Sequence, residues 1–148
     1  MRVLIDANIL VDALFGPLER PQGNRTAAIA LLDAVTAREV VGVITPVIFA
    51  FVIYLVKPRR ADHRQRMEAA LDRLMEICEW APVTPGHYRS AFASSFVDVE
   101  DGMQYFAASS TGRLDAIITR DIKGYKDHVN VPVMDANQFV KRHLKYRT

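Results

Sequence analysis

The stretch that decides the fold is Val3-Leu4-Ile5-Asp6-Ala7-Asn8-Ile9-Leu10-Val11-Asp12. Val3-Leu4-Ile5 is a short β-branched and aliphatic run, too brief for a helix and closed by polar residues. It reads as a buried strand with Asp6 at its carboxyl end. The same pattern recurs downstream. Val40 to Ile44 reads as a second strand, Ala116-Ile117-Ile118-Thr119 as a third that is closed by Arg120-Asp121, and Val131 to Met134 as a brief fourth. Helical patterns fill the intervals. From Asn24, a candidate N-cap, the residues Ala27, Ala28, Leu31, Leu32 and Val35 keep helical spacing as far as about Arg38. Pro46 opens a run from Val47 to Val56 that is apolar all round and, as a helix, must be buried, with Lys57-Pro58 ending it. A segment from about Asp62 to Glu79 puts Met67, Ala70, Leu71, Leu74 and Cys78 on one stripe. Thr84-Pro85 starts a helix through Tyr88 and Phe92, and Asp98 to Asp101 opens another running toward Gly112. Asp135-Ala136-Asn137-Gln138 has the pattern of a capping box for a last helix. Strands that alternate with helices predict an α/β domain whose mainly parallel sheet is covered on both faces.

Composition narrows the class. The 148 residues, 50% hydrophobic and 24% charged, suit one domain spanning 1–148, long enough to build its core without a disulfide or a structural metal. Cys78 is the one cysteine and has no partner in the chain, which excludes a disulfide scaffold and a zinc finger and points to a reducing cytoplasm. No apolar run approaches the roughly 20 residues of a membrane span. The net charge of +2 gives no global attraction to nucleic acid. Its distribution is uneven, however. Lys57, Arg59, Arg60, Arg64 and Arg66 crowd around a single acid, Asp62, and Lys141, Arg142, Lys145 and Arg147 crowd the C-terminal end. Such groups are either solvated helix faces or contacts for phosphates.

The acids are more informative. In open parallel sheets ligands bind beyond the carboxyl ends of the strands, where Asp6 and Asp121 stand. Asp101, in the first turn of the helix before the third strand, is the third candidate. Three converging carboxylates repel one another unless a cation compensates them. An oxygen-only set without histidine or cysteine suits Mg²⁺ or Mn²⁺ rather than zinc, copper or iron. Each acid also has a local reading: Asp6 as a helix cap, Asp121 as a turn former, and Asp98 and Asp101 as a cap and its partner. Asp98 reads as structural before catalytic. Asp12, Asp115 and Asp135 read as solvated or capping groups, and His63, His87, His128 and His143 are too scattered to suggest a site.

Residues 3–12 resemble the opening of PIN domains, in which a strand delivers an Asp followed by a small residue and Asn. Asp98-Val99-Glu100-Asp101-Gly102-Met103-Gln104-Tyr105-Phe106-Ala107-Ala108 resembles the third acidic segment of that family, and Asp115-Ala116-Ile117-Ile118-Thr119-Arg120-Asp121 its fourth. The resemblance covers essentially the whole chain. It implies a three-layer α/β/α sandwich with a mainly parallel central sheet of four to five short strands, and an endoribonuclease activity that depends on Mg²⁺ or Mn²⁺. Many bacterial members are toxins neutralised by a small antitoxin, and homodimers are expected. By position Asp6, Asp101 and Asp121 would be the catalytic metal ligands, Asn8 and Thr119 would orient them, and Asp98 would be an accessory acid. Arg59, Arg60, Arg64 and Arg120 would be RNA contacts. Two departures stand out: Phe51 where the family carries Glu in the helix after the second strand, and Gly124 before Tyr125 where an Asp is frequent. Phe51 leaves a second reading open, a PIN-like module that binds RNA or protein without cutting. A phosphotransfer domain with Asp6 as nucleophile is disfavoured, because Asn8 stands where its second Asp would be needed.

Overall fold

A computed structural model of the chain describes residues 1–16, 25–57 and 61–144. Asn24, Arg59, Arg60, Lys145 and Arg147 lie outside the described residues. Strand β1 (Arg2–Ile5) ends at Asp6, which caps helix α1 (Ala7–Leu14) by accepting the Ala7 N–H on Oδ1 at 2.7 Å. Helix α2 (Arg25–Thr36) buries the stripe read from the sequence, Ala27, Ala28, Leu31, Leu32 and Val35. Strand β2 (Val41–Ile44) leads into α3 (Pro46–Val56), where Thr45 Oγ1 accepts the Ile48 N–H at 3.1 Å and Pro46 occupies the first turn. Lys57 ends α3 with φ 48° and ψ 71°, a left-handed conformation consistent with the exclusion of a pre-proline residue from the helical region. Then follow α4 (Ala61–Ile77), β3 (Glu79–Trp80), α5 (Pro85–Phe92), α6 (Val99–Ser110), β4 (Ala116–Ile118), α7 (Ile122–Tyr125), β5 (Val133–Met134) and α8 (Ala136–His143).

All strand pairs are parallel, in the order β3-β2-β1-β4-β5. The chain therefore builds outward from β1 to β3 and then returns to β1's other edge with β4. That reversal makes the β1/β4 boundary the switch point, with the crevice beyond its carboxyl ends open to a ligand. Val3, Leu4 and Ile5 are fully buried, as a central parallel strand covered on both faces requires. Helix α1 packs against α2 and α3, and α2 against α8, while α5 packs against α6 and α6 against α7. The result is the expected three-layer sandwich. The α5–α6 contact is close because Gly102 carries no side chain; a Cβ there would stand 3.0 Å from both Ala91 Cβ and Phe96 Cγ. This seats the first turn of α6, which carries Asp101. No helix among the described residues is long and apolar enough to cross a membrane.

Four expectations change in detail. The run from Val47 to Val56 is not buried all round: Ile48, Phe49, Val52 and Val56 face the core, while Ile53, Tyr54 and Leu55 are exposed. The helix read as far as Glu79 stops at Ile77, and Glu79–Trp80 form the edge strand β3, with Trp80 Nε1 donating to Leu74 O at 3.1 Å. The fourth expected strand shrinks to Val133–Met134; Pro132 has no N–H to give a ladder, although its carbonyl accepts the Ile117 N–H at 2.9 Å. The polar end of β4 is not a plain turn, since Asp121 caps α7.

Candidate functional site

Asp6 is held from three directions. Besides the Ala7 N–H on Oδ1, its Oδ2 accepts from Asn8 Nδ2 at 2.8 Å and from Thr119 Oγ1 at 2.7 Å. Thr119 Oγ1 in turn accepts the Asp121 N–H at 3.0 Å, and Asn8 Oδ1 accepts the Arg120 N–H at 3.1 Å. Asn8 and Thr119 thus stitch the end of β1 to the end of β4, across the switch point. Burial pushes the Asp6 carboxyl up from its ordinary range; the donors from Thr119, Ala7 and Asn8 oppose that, and the Asp121 carboxylate adds to it. The local reading of Asp6 as a helix cap holds, and the capped carboxyl stands at the switch point beside Asp121.

Asp98 caps α6, its Oδ1 accepting from the N–H groups of Glu100 at 2.9 Å and Asp101 at 3.3 Å. The cap fixes the turn from which Asp101 projects. Asp101 is pushed up to about 7, first by burial and then by the carboxylates of Asp98, Asp6 and Asp121. Asp121 Oδ1 accepts the Gly124 N–H at 3.2 Å. Gly124 lines the gap between the last two acids: a Cβ on it would lie 2.8 Å from Asp121 Oδ2 and 3.0 Å from Asp101 Oδ2. Two carboxylate oxygens therefore face one small space that any other residue would fill. The buried Tyr125 turns its hydroxyl toward Asp101 as a donor and packs edge-on against Phe96, the ring centroids 6.0 Å apart. Burial, with Asp6 and Asp101 next, holds its phenol far above the ordinary range.

The structure therefore brings Asp6, Asn8, Asp98, Asp101, Thr119 and Asp121 together. Among the described residues no three His, Cys, Asp or Glu groups are already gathered tightly enough to enclose one ion. The donor set nonetheless fits a hard cation. Mg²⁺ keeps several waters and needs only one or two carboxylates, and the gap beside Gly124 offers two, with Asp6 behind them. A cation there would also relieve the mutual repulsion that raises Asp101. The remaining expectations separate. Arg64 forms an exposed ion pair with Glu68 on α4 at 3.7 Å. Phe51 is half-buried and packs against the apolar core. Asp135 does cap, forming a capping box with Gln138, whereas Asp115 caps no helix and instead accepts the Arg2 N–H at the start of β1 on Oδ2 at 2.8 Å. Asp12 is not solvated. It is buried on α1, with Oδ2 3.3 Å from Arg120 Nε. Nothing local signals this, because its partner lies more than a hundred residues away.

Residues 2–123 match the model of a family described as PIN domain. The fold is similar to that in the crystal structure of VapBC2 from Rickettsia felis bound to a DNA fragment from their promoter. There the TM-score is 0.59 and the identity 15%, over 91% of this chain and 98% of that one. It is also similar to PAE2754 from Pyrobaculum aerophilum, with a TM-score of 0.59 and 16% identity over 96% of this chain and 88% of that one. No curated protein sequence matches the chain.

Proposed function

As the chain belongs to the PIN-domain family, we propose that it is a metal-dependent endoribonuclease, the toxin of a toxin–antitoxin pair. The observation that carries this is the gap beside Gly124, where Asp101 and Asp121 each present an oxygen at the switch point in front of Asp6. Asp101 and Asp121 would hold Mg²⁺ or Mn²⁺ there, with Asp6 beside them. A bound ion would supply charge neutralisation for a phosphodiester and a water of lowered pKa.

The other roles belong to the protein. Thr119 and Asn8 spend their donors on Asp6 Oδ2 and the Ala7 N–H is spent on Oδ1, which fixes the orientation of the carboxyl. Asp98 acts on Asp101 by fixing its helix turn. A cation beside Asp101 would favour its carboxylate form and offset the repulsion from Asp98, Asp6 and Asp121. Tyr125 donates to Asp101 and limits its rotation. The similarity to the VapBC2 structure on promoter DNA supports an antitoxin-type partner; we assign RNA as substrate, a homodimer as the working form and the cytoplasm as the compartment.

The test is cleavage of a structured RNA in Mg²⁺. Wild type cuts, EDTA stops it, and Asp6→Asn lowers the rate by at least about a hundredfold, in the range for loss of a carboxylate that stabilises transition-state charge. A second reading rests on Phe51, which contributes no carboxylate where the family carries Glu: a module that binds RNA without cutting it. Binding that is indifferent to EDTA and to Asp101→Asn, with no cleavage in any divalent ion, would establish that reading and refute the nuclease.

A further inference from the structure

Arg120 sits between Thr119 and Asp121, and its backbone N–H is fixed by Asn8, the same residue that holds Asp6. Its side chain does not turn in toward the acids. It runs along α1 to Asp12, Nε lying 3.3 Å from Asp12 Oδ2, with the Asp12 side chain 8% exposed and that of Arg120 34% exposed. Asp12 is one helical turn beyond Asn8, a rise of about 6 Å along α1. Asp12 Oδ2 has no hydrogen-bond partner among the described residues, so the guanidinium is what compensates it. Burial raises the Asp12 carboxyl and Arg120 pulls it back down.

A buried carboxylate with one partially exposed partner is a costly way to join a helix to a loop; apolar side chains of similar volume would do so at least as well. What the pair does provide is a cation of fixed position. About a third of the Arg120 side chain is exposed, and a guanidinium carries five donors, of which this contact engages one edge. Its other donors have no side-chain partner among the described residues. Its ion-pair partner is Asp12 rather than Asp6, Asp101 or Asp121. An anion attracted to Arg120 would lie beside those three acids.

We propose that Asp12 is a positioning residue that holds Arg120 as a clamp for a phosphate of the RNA strand next to the one bound at the acidic site. The inference rests on the nuclease reading for its substrate class. The arrangement suits a chain of phosphodiesters, because one phosphate meets the metal carboxylates while its neighbour meets a planar fork of donors.

The test uses a short single-stranded RNA titrated against the full chain in Ca²⁺, a larger ion with looser coordination geometry than Mg²⁺, at several salt concentrations by fluorescence anisotropy, with the oligonucleotide checked intact on a gel afterwards. R120Q should weaken binding about tenfold and lower the salt slope by about one, the signature of a single lost phosphate contact. D12N should weaken binding by a smaller factor and leave the slope unchanged, because the cation is still there but no longer held. R113Q, at the opposite end of β4, should change neither. A fall in melting temperature for D12N and R120Q with affinity and slope as in wild type would overturn the proposal, leaving the pair a structural staple. So would a wild type that does not bind the oligonucleotide. Wild type that binds with these responses but cuts no RNA refutes the nuclease reading and keeps the clamp; cleavage with R120Q binding unchanged does the reverse.

Discussion

Gly124→Ala should separate the stability of this protein from its metal affinity. Gly124 lies inside α7 with no positive φ, so alanine suits the backbone. Replacing glycine by alanine in a helix interior gains about 0.5–1 kcal/mol, worth roughly 1–4 °C in a domain of this size. The new Cβ, however, would sit 2.8 Å from Asp121 Oδ2 and 3.0 Å from Asp101 Oδ2. An ordinary carbon–oxygen contact is longer by several tenths of an ångström. Both obstructing atoms are ends of side chains, so relief comes by rotating the two carboxylates apart rather than by unfolding anything. Displacements of that size matter against metal–oxygen bonds of about 2.0–2.1 Å. The affinity for Mg²⁺ or Mn²⁺ should fall about ten- to a hundredfold, as it does when the groups that orient metal ligands are disturbed. Calorimetric titration with Mn²⁺ gives the affinity, and a thermal melt in EDTA gives the stability. An alanine variant that melts at or above wild type yet binds Mn²⁺ as tightly would refute the idea that Asp101 and Asp121 share an ion across this gap.

Two further outcomes follow from the burial of single groups. The Asp101 carboxyl, pushed up from 3.8 to about 7, makes the metal-free native state hold a proton that the unfolded chain has released. Stability in EDTA should therefore fall as pH rises from about 4 to about 7 and level off above, and Asp101→Asn should flatten that slope in melts run across the range. Burial pushes the Cys78 thiol up to about 12, against the weaker pull of Arg38 and Arg73. Iodoacetamide at pH 8 should label it far more slowly than a free cysteine, and labelling at the free rate would contradict its packing.

The strands and the acids were legible for the same reason: each is a local pattern. A run such as Val3-Leu4-Ile5 closed by Asp shows both a buried strand and a carboxylate at its end, and Asp98 three residues before Asp101 shows a cap. What escaped depends on distance or brevity. Glu79–Trp80 and Ile122–Tyr125 are too short for periodicity to register. The exposed Ile53, Tyr54 and Leu55 look no different in sequence from the buried Val52 and Val56. Asp12 sits where an amphipathic helix would place a solvated acid, and only the return of the chain with Arg120 reveals it as buried. Gly124 could be read as an absent carboxylate, whereas in the fold it is the space between two present ones.

The strand order also has a consequence during synthesis. Thr119 and Asp6, joined by a hydrogen bond, are 113 residues apart in the chain. The β4-facing edge of β1 waits unpaired until the chain has grown past Ile118. At ribosomal rates that interval is roughly 6–20 s. During it a nascent chain can pair β1 with β2 and cover one side of Val3, Leu4 and Ile5, but the opposite wall of the acidic crevice does not yet exist. The carboxylates come within reach of one another only when most of the polypeptide has left the ribosome, so the crevice is among the last parts of the molecule to form.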